Sequence, residues 1–254
     1  MRAMRIAVIA DLHANMAALR AVLDDVLLLG CDTTWCVGDV VGRGPHPGEV
    51  VDEMRRLEIP AIQGNWDEAV GQRREQAGVT WGSPEAEAAG LASLAWTIAH
   101  TTDEQRSWLR QLPVSNRFLL GDRSVLLFHG SPVRQNEYLW SDRPSRVFAR
   151  VGSDQGDDLL CFGHTHEAIH RVVGTSHFVA AASVGCGSLE DPTARYAVID
   201  VAGAELMVTF RSVPYDHVGV EAAMRAAGLT PSLLWAPRSE HEASMADMER
   251  LVEA

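Results

Sequence analysis

Short apolar runs and longer stretches with apolar residues three and four apart take turns along the first third of the chain, which predicts strands and helices in alternation. Arg5 to Ala10 reads as a buried central strand. Asn15 supplies an N-cap for a helix from about Met16 to Leu29, which Gly30 ends. Thr33 to Val37 is a second strand running into Gly38-Asp39. A loop rich in Gly and Pro follows to Pro47, then a helix to about Leu57 and a strand at Ile59 to Gln63. This β-α-β-α-β order argues for a parallel sheet with helical crossovers, whose ligand sites lie beyond the carboxyl ends of the strands.

Between Asp67 and Pro113 the pattern turns helical. Ser83-Pro84 pairs an N-cap with a proline at the first helical position, and Thr102-Asp-Glu-Gln105 fits a capping box ahead of Trp108, Leu109 and Leu112. Trp81, Trp96 and Trp108 read as core anchors of helices covering one sheet face. From Val114 strands return: Val114 to Leu120, Ser124 to His129, Leu159 to Phe162, Ala168 to Val173, Phe178 to Ala182, Ala194 to Val201 and Glu205 to Val213. The expected fold class is α/β, a four-layer α/β/β/α sandwich of two mixed sheets. Residues 1–228 would form the domain. Residues 229–254 would be a helical extension whose apolar face, Met245, Met248, Leu251 and Val252, packs on that domain or at a dimer contact.

Composition narrows the function. With 46% hydrophobic and 22% charged residues, the 254-residue chain is of ordinary globular type. Its formal charge is −12 with no basic block, so bulk nucleic-acid binding and adhesion to an anionic membrane are not expected. All 22 cationic side chains are arginine. Without lysine there is no Schiff-base chemistry and no P-loop of the Walker type. Cys31, Cys36, Cys161 and Cys186 lack Cys-x-x-Cys spacing and read as buried free thiols. Only Ile6 to Ala10 is apolar ahead of Asp11, shorter than a signal-peptide core, and no run nears the ~20 residues of a membrane span. A cytoplasmic location is expected.

Polar residues able to ligate a metal punctuate the ends of the apolar runs: Asp11 and His13, Asp39, Asn65, His129, His164 and His166. If the chain stays extended after the first strand, side chains two apart such as Asp11 and His13 aim at one point. Four imidazoles, two carboxylates and an amide oxygen suit Mn²⁺, Fe or Zn²⁺ better than Mg²⁺ or Ca²⁺. The order Asp-x-His, Gly-Asp, Gly-Asn, His-Gly, Gly-His-x-His resembles the calcineurin-like metallophosphoesterase superfamily, in particular its small bacterial and archaeal phosphodiesterase-like branch. The likeness runs from about Met4 to Asp216 and includes Val37-Gly-Asp-Val-Val-Gly-Arg-Gly-Pro45, His129-Gly-Ser-Pro132 and Arg195-Tyr-Ala-Val-Ile-Asp200.

The resemblance implies the metallophosphoesterase fold and two divalent ions, Mn foremost and Fe or Zn as alternatives. One would take Asp11, His13, Asp39 and His166, the other Asp39, Asn65, His129 and His164, with Asp39 as bridge. Asp39, Asn65 and His129 would then be catalytic. Two positions depart from the pattern. Ala180 to Gly185 stands where the family often has Asn-Pro-Gly-Ser-Val-Gly, a loop variation. Trp66 stands where the family's monoesterases carry the histidine that protonates the leaving group. An indole N–H does not release a proton at neutral pH, so diesters or anhydrides with acidic leaving groups are favoured as substrates. Trp66→His is expected to restore some monoesterase activity if Asp67 orients the new ring.

Arg43, in the Gly-rich loop, either grips a substrate phosphate or is a solvated loop arginine. Trp66 either stacks on a base or aryl group or packs in the core. Asn15 either touches substrate or only caps its helix. Arg134, Asn136, Tyr138 and Trp140 either form a rim over the metals or an ordinary surface loop. The expected partner is a small phosphate ester or nucleotide, with a homo-oligomer as a further expectation. Dinucleoside polyphosphate hydrolysis and protein dephosphorylation are alternatives on the same core, and a non-catalytic metal-binding scaffold is the alternative of another class.

Overall fold

The computed structural model describes residues 3–188 and 190–235. β1 (Met4–Ile9) lies inside a four-stranded sheet of order β2-β1-β8-β9, with β2 at Thr33–Cys36, β8 at Thr193–Ala202 and β9 at Glu205–Pro214. β1 runs parallel to β2 and antiparallel to β8. The second sheet has the order β3-β4-β5-β7-β6: β3 Ser115–Leu120, β4 Arg123–Phe128, β5 Leu159–Phe162, β7 Ser176–Ala181 and β6 Ala168–Val173. Its three central strands are parallel, and both edge strands pair antiparallel.

The two-residue period of the strands sorts their side chains into layers. Ile6, Val8 and Ala10 meet Val125, Leu127, Leu159 and Cys161 between the sheets. Ala7 and Ile9 face outward onto Leu19, Val22 and Val26 of α1 (Met16–Leu28). On the far side, Leu160 and Phe162 meet Phe148 of α6 (Ser145–Gln155). Both faces of each sheet are thus covered, which is why β1 and β5 are apolar at nearly every position. The first sheet's helical layer is completed by α2 (Pro47–Arg56), α3 (Asn65–Gln72), α4 (Pro84–Ala99) and α5 (Asp103–Gln111). Caps sit where the sequence puts them: Asn15 accepts from the Ala18 N–H, Ser83 from Ala86, and Thr102 exchanges bonds with Gln105. The result is the α/β/β/α sandwich of the metallophosphoesterase fold. Among the described residues no helix is long and apolar enough to cross a membrane.

Three elements differ from expectation. The strand expected at Ile59 to Gln63 shrinks to a single parallel bridge between Cys36 and Ala61. Pro60 has no N–H to extend a ladder, and the Gln63 N–H turns away to the Pro113 carbonyl. Two helices, α6 and α7 (His217–Ala226), were not expected. Each buries only two residues, Phe148 and Gly152 in α6 and Val220 and Met224 in α7. After α7, a 3-10 turn at Pro231–Leu234 places Leu233, Leu234 and Trp235 against Met224, with Trp81 and Trp96 packed alongside. The expected helical face at Met245, Met248, Leu251 and Val252 lies outside the described residues.

Candidate metal centre

Parallel pairing sets the ends of β1 and β2 side by side, and those of β4 and β5 likewise, so the loops that follow these strands meet. Asp11 and His13 come from the loop after β1, Asp39 from that after β2, His129 from that after β4, and His164 and His166 from that after β5; Asn65 opens α3. The loops are stitched to one another. Asp11 and His13 donate their N–H groups to Gly38 and Asp39 carbonyls at 2.9 and 3.0 Å, and the His164 N–H reaches across from the second sheet to the Asp11 carboxylate at 3.0 Å. The convergence of Asp11 and His13 has a different cause from an extended chain. β1 ends at Ile9, and both residues sit in left-handed backbone, at φ 53° and 44°. Asp39, His164 and His166 share that conformation. Non-glycine residues held there cost about 1–3 kcal/mol each, and five of them in one cluster mark a site the rest of the fold holds in place.

All seven residues come together. The His13 and His166 Nε2 atoms face one another at 3.1 Å, and His166 lies 3.4 Å from Asp11 Oδ1. His129 Nε2 is 3.1 Å from Asn65 Oδ1 and 3.4 Å from Asp39 Oδ2. His13 Nε2 is 3.8 Å from Asp39 Oδ2, and His164 joins Asp39 and His129 in a group whose donor atoms lie within 4.8 Å of one another. Two donors each about 2.1 Å from one ion stand roughly 3.0 Å apart at a right angle and 3.4 Å apart at the tetrahedral angle. The shorter of these spacings are those of donors that could share a divalent cation.

Outer contacts aim these donors inward. His129 donates Nδ1–H to the Val37 carbonyl at 2.8 Å, which leaves Nε2 to the centre. Asp39 Oδ1 accepts the Trp66 N–H at 2.9 Å, which leaves Oδ2. Asp67, fully buried, spends both oxygens on the backbone N–H groups of Gly64 and Val41, tying α3 to the Asp39 loop. Gly64 permits the close approach, since a Cβ there would collide with the Asp39 carboxylate and backbone. Electrostatics agree. Burial opposes charge on His129, yet Asp39 and Asp11 outweigh it and hold the pKa up at about 9. His166 is held at about 9 in the same way, burial being overcome chiefly by Asp11. His13 goes the other way, lowered by burial and then by Arg43 and its neighbouring imidazoles. In the absence of a cation the carboxylates recruit protons in its place.

Arg43, Trp66 and Asn15 are buried. Asn15 caps α1 through its oxygen and donates Nδ2–H to the Gly185 carbonyl at 3.0 Å, so its amide is committed at both ends. Trp66 is 1% exposed and fills the space beside Gly42, its indole edge-on to His13 with centroids 6.1 Å apart. It packs as floor to the site. Arg43 is 3% exposed, lies between the Trp66 and Trp81 rings at 5.8 and 5.5 Å, and donates to the Leu233 carbonyl at 3.2 Å. It is not a solvated loop arginine. Of the rim residues, Tyr138 stacks on His164 with centroids 3.9 Å apart and Trp140 stacks on Tyr138, while Asn136 binds the Gly78 carbonyl and Arg134 is exposed. Cys186, read from sequence as a buried free thiol, lies within 4.8 Å of the His13 and His166 nitrogens. Its only signal was the glycine before it, Gly185, where a Cβ would collide with the Leu12 carbonyl of the loop after β1.

Fold and site together define a metal-dependent phosphoric ester hydrolase. The family model for the calcineurin-like phosphoesterase superfamily domain matches residues 4–204, and the chain belongs to that superfamily. A metallophosphoesterase from Sphaerobacter thermophilus superposes with a TM-score of 0.72 at 32% identity, covering 92% of this chain and 97% of that one. A hypothetical protein from Pyrococcus horikoshii shares the fold with a TM-score of 0.80 at 22% identity, covering 91% of this chain and 96% of its own. An uncharacterized protein of Methanocaldococcus jannaschii is 31% identical over 164 residues, 63% of this chain and 62% of that relative's length. The match to that relative spans less than two thirds of it.

Proposed function

We propose that the chain is a cytoplasmic phosphodiesterase that hydrolyses a small or nucleotide-like phosphate ester at a dinuclear centre of divalent ions, manganese foremost and iron or zinc as alternatives. The observation that carries this reading is the geometry of Asp39: one oxygen is locked by the Trp66 N–H, and the other stands 3.4 Å from His129 and 3.8 Å from His13, between the two donor groups. Two ions held there would polarise the phosphate oxygens and activate a water at neutral pH. Asp39 fixes the midpoint of the site, and Asn65 and His129, 3.1 Å apart, form its second half. Arg43 adds positive potential from beneath, being the largest charge acting on His13.

The identity of the leaving group follows from position 66. An indole turned into the core supplies no proton, so the departing oxygen must be acidic enough to leave as an anion. General-acid help is worth about 10²–10⁴-fold, and alkyl monoesters should lack it. The test is a leaving-group series, substituted aryl diesters against alkyl monoesters such as glycerol phosphate, on protein loaded separately with Mn²⁺, Zn²⁺ and Fe²⁺. Rates should fall steeply as leaving-group pKa rises. Equal turnover of alkyl monoesters and aryl diesters would sink the diesterase assignment, and no turnover with any metal would favour a non-catalytic scaffold.

A further inference from the structure

A cavity of about 520 Å³ lies away from the metal ligands, between the 131–139 loop and α6. Its size is that of a small-molecule site, for which roughly 300–1,000 Å³ is usual. Residues 146, 147, 150, 151 and 154 recur on one stripe of α6, so the helix presents two valines flanked by charge to the cavity.

The charges do not balance. Of the two acidic residues in the wall, Asp154 is paired with Arg150 at 3.7 Å and Glu137 accepts the Ser131 hydroxyl. Among the described residues Arg134, Arg143 and Arg146 have no acidic partner. In a chain of formal charge −12, three uncompensated guanidinium groups around one cavity are out of character. Moreover, the Arg143 Nη2 is buried with no hydrogen-bond partner. A buried donor left unpaired is unfavourable, and this one lies on a residue of the cavity wall. The rest of the wall is apolar, with Val147, Val151 and Leu139 below and Val133, 82% exposed, at the mouth.

We propose that this cavity is a second binding site, for an organic phosphate whose dianionic head is held by Arg134, Arg143 and Arg146 and whose apolar or aromatic body lies on the valines. Guanidinium forks match phosphate oxygens two at a time, and the apolar floor discriminates against inorganic phosphate. The site borders the reaction centre through Tyr138, which forms part of the cavity wall and stacks on His164. The ligand is therefore either the remote part of the substrate or a separate effector. Its occupancy does not depend on the hydrolytic reading, because binding is measurable without metal.

The experiment is titration of metal-free, EDTA-treated full-length protein with adenosine 5′-monophosphate by calorimetry, beside Arg143→Ala, Arg146→Ala and the distant control Arg56→Ala. Saturable binding is expected for wild type and control, weakened about tenfold or more in either cavity variant through loss of a charge-assisted bond, with inorganic phosphate at least about tenfold weaker than the nucleotide. Thermal midpoints verify folding, and Arg146 is exposed enough for its loss to be tolerated. Absence of saturable binding overturns the proposal. So does binding indifferent to both cavity substitutions, which would place the phosphate at the histidine cluster. Two kinetic arms on metal-loaded protein then identify the source. If Arg146→Ala raises KM for a dinucleotide diester bearing a 5′-terminal phosphate but not for bis(p-nitrophenyl) phosphate, the cavity holds part of the substrate. If neither KM moves and the nucleotide changes the bis(p-nitrophenyl) phosphate rate in wild type alone, it holds an effector.

Discussion

Replacing Trp66 with histidine restores on paper the residue that monoesterases of this superfamily carry, and the structure predicts that it fails. Position 66 points into the core: the indole is 1% exposed, lies beside Gly42 and stands 5.8 Å from the Arg43 guanidinium. Exchanging it for imidazole removes roughly 70 Å³ of buried volume, which at ~24 cal/mol per Å³ costs about 1.5–2 kcal/mol. A ring nitrogen left without a partner adds about 1–3 kcal/mol, and weakening of the stacked cation about 0.5–2 kcal/mol. The total, about 3–7 kcal/mol, is a large share of the ~5–15 kcal/mol that holds a domain together. Nor is a carboxylate available to orient the new ring, since both Asp67 oxygens already accept backbone N–H groups. Urea unfolding followed by circular dichroism should show a lowered midpoint at unchanged slope, and glycerol phosphate should be hydrolysed no faster than by wild type. A variant within about 1 kcal/mol of wild type that also gains monoesterase activity would refute both the orientation of residue 66 and the energies built on it.

Three further outcomes follow from the site and the sheet. Asp39→Asn keeps an oxygen for the Trp66 N–H and tolerates the left-handed backbone, so the fold should survive while the bound-metal stoichiometry, by elemental analysis, falls below two; two tightly held ions would remove the bridging role. Because the pKa values of His129 and His166 are held up at about 9 in the metal-free protein, metal must displace their protons. Affinity should rise with pH toward about 9, and calorimetry near pH 7 in buffers of different ionisation enthalpy should register proton release; buffer-independent heats would contradict this. Asp25 is held below the ordinary carboxylate range by the Arg211 hydrogen bond, assisted by Tyr196. A depressed folded-state pKa stabilises fully above the unfolded value of about 4 and is lost as pH falls through the lower one, so the stability gap between wild type and Asp25→Asn should be constant near neutrality and close in acid.

The layering was legible because its cause is local. β1 and β5 carry apolar residues on both faces, which a strand does only when covered on both sides, and the caps at Asn15, Ser83 and Thr102 act through neighbours three residues away. The ligand residues were legible by kind and order, although the reason for their meeting was not. Left-handed backbone at Asp11 and His13 is imposed by the adjoining loop after β2, which donates nothing to the sequence pattern around them. Arg43 and Trp66 were undecidable for the same reason. Whether a guanidinium meets water or two indoles depends on Trp81 and Leu233, 38 and 190 positions further on. Cys186 joined the site only through a loop whose approach is set by Ser183 bonding to the Asp11 carbonyl.

The bond from Arg43 to the Leu233 carbonyl also bears on where this polypeptide can be shortened. A division after residue 228 looks natural on sequence, yet the stretch just beyond it is fastened to the loop that carries Asp39. A chain ending at Gly228 would strip Leu233, Leu234 and Trp235 from Met224 and Trp81, and would take from Arg43 the carbonyl it donates to. Trimming on the amino side of Trp235 is therefore expected to disturb the loop beside the site without touching a single ligand.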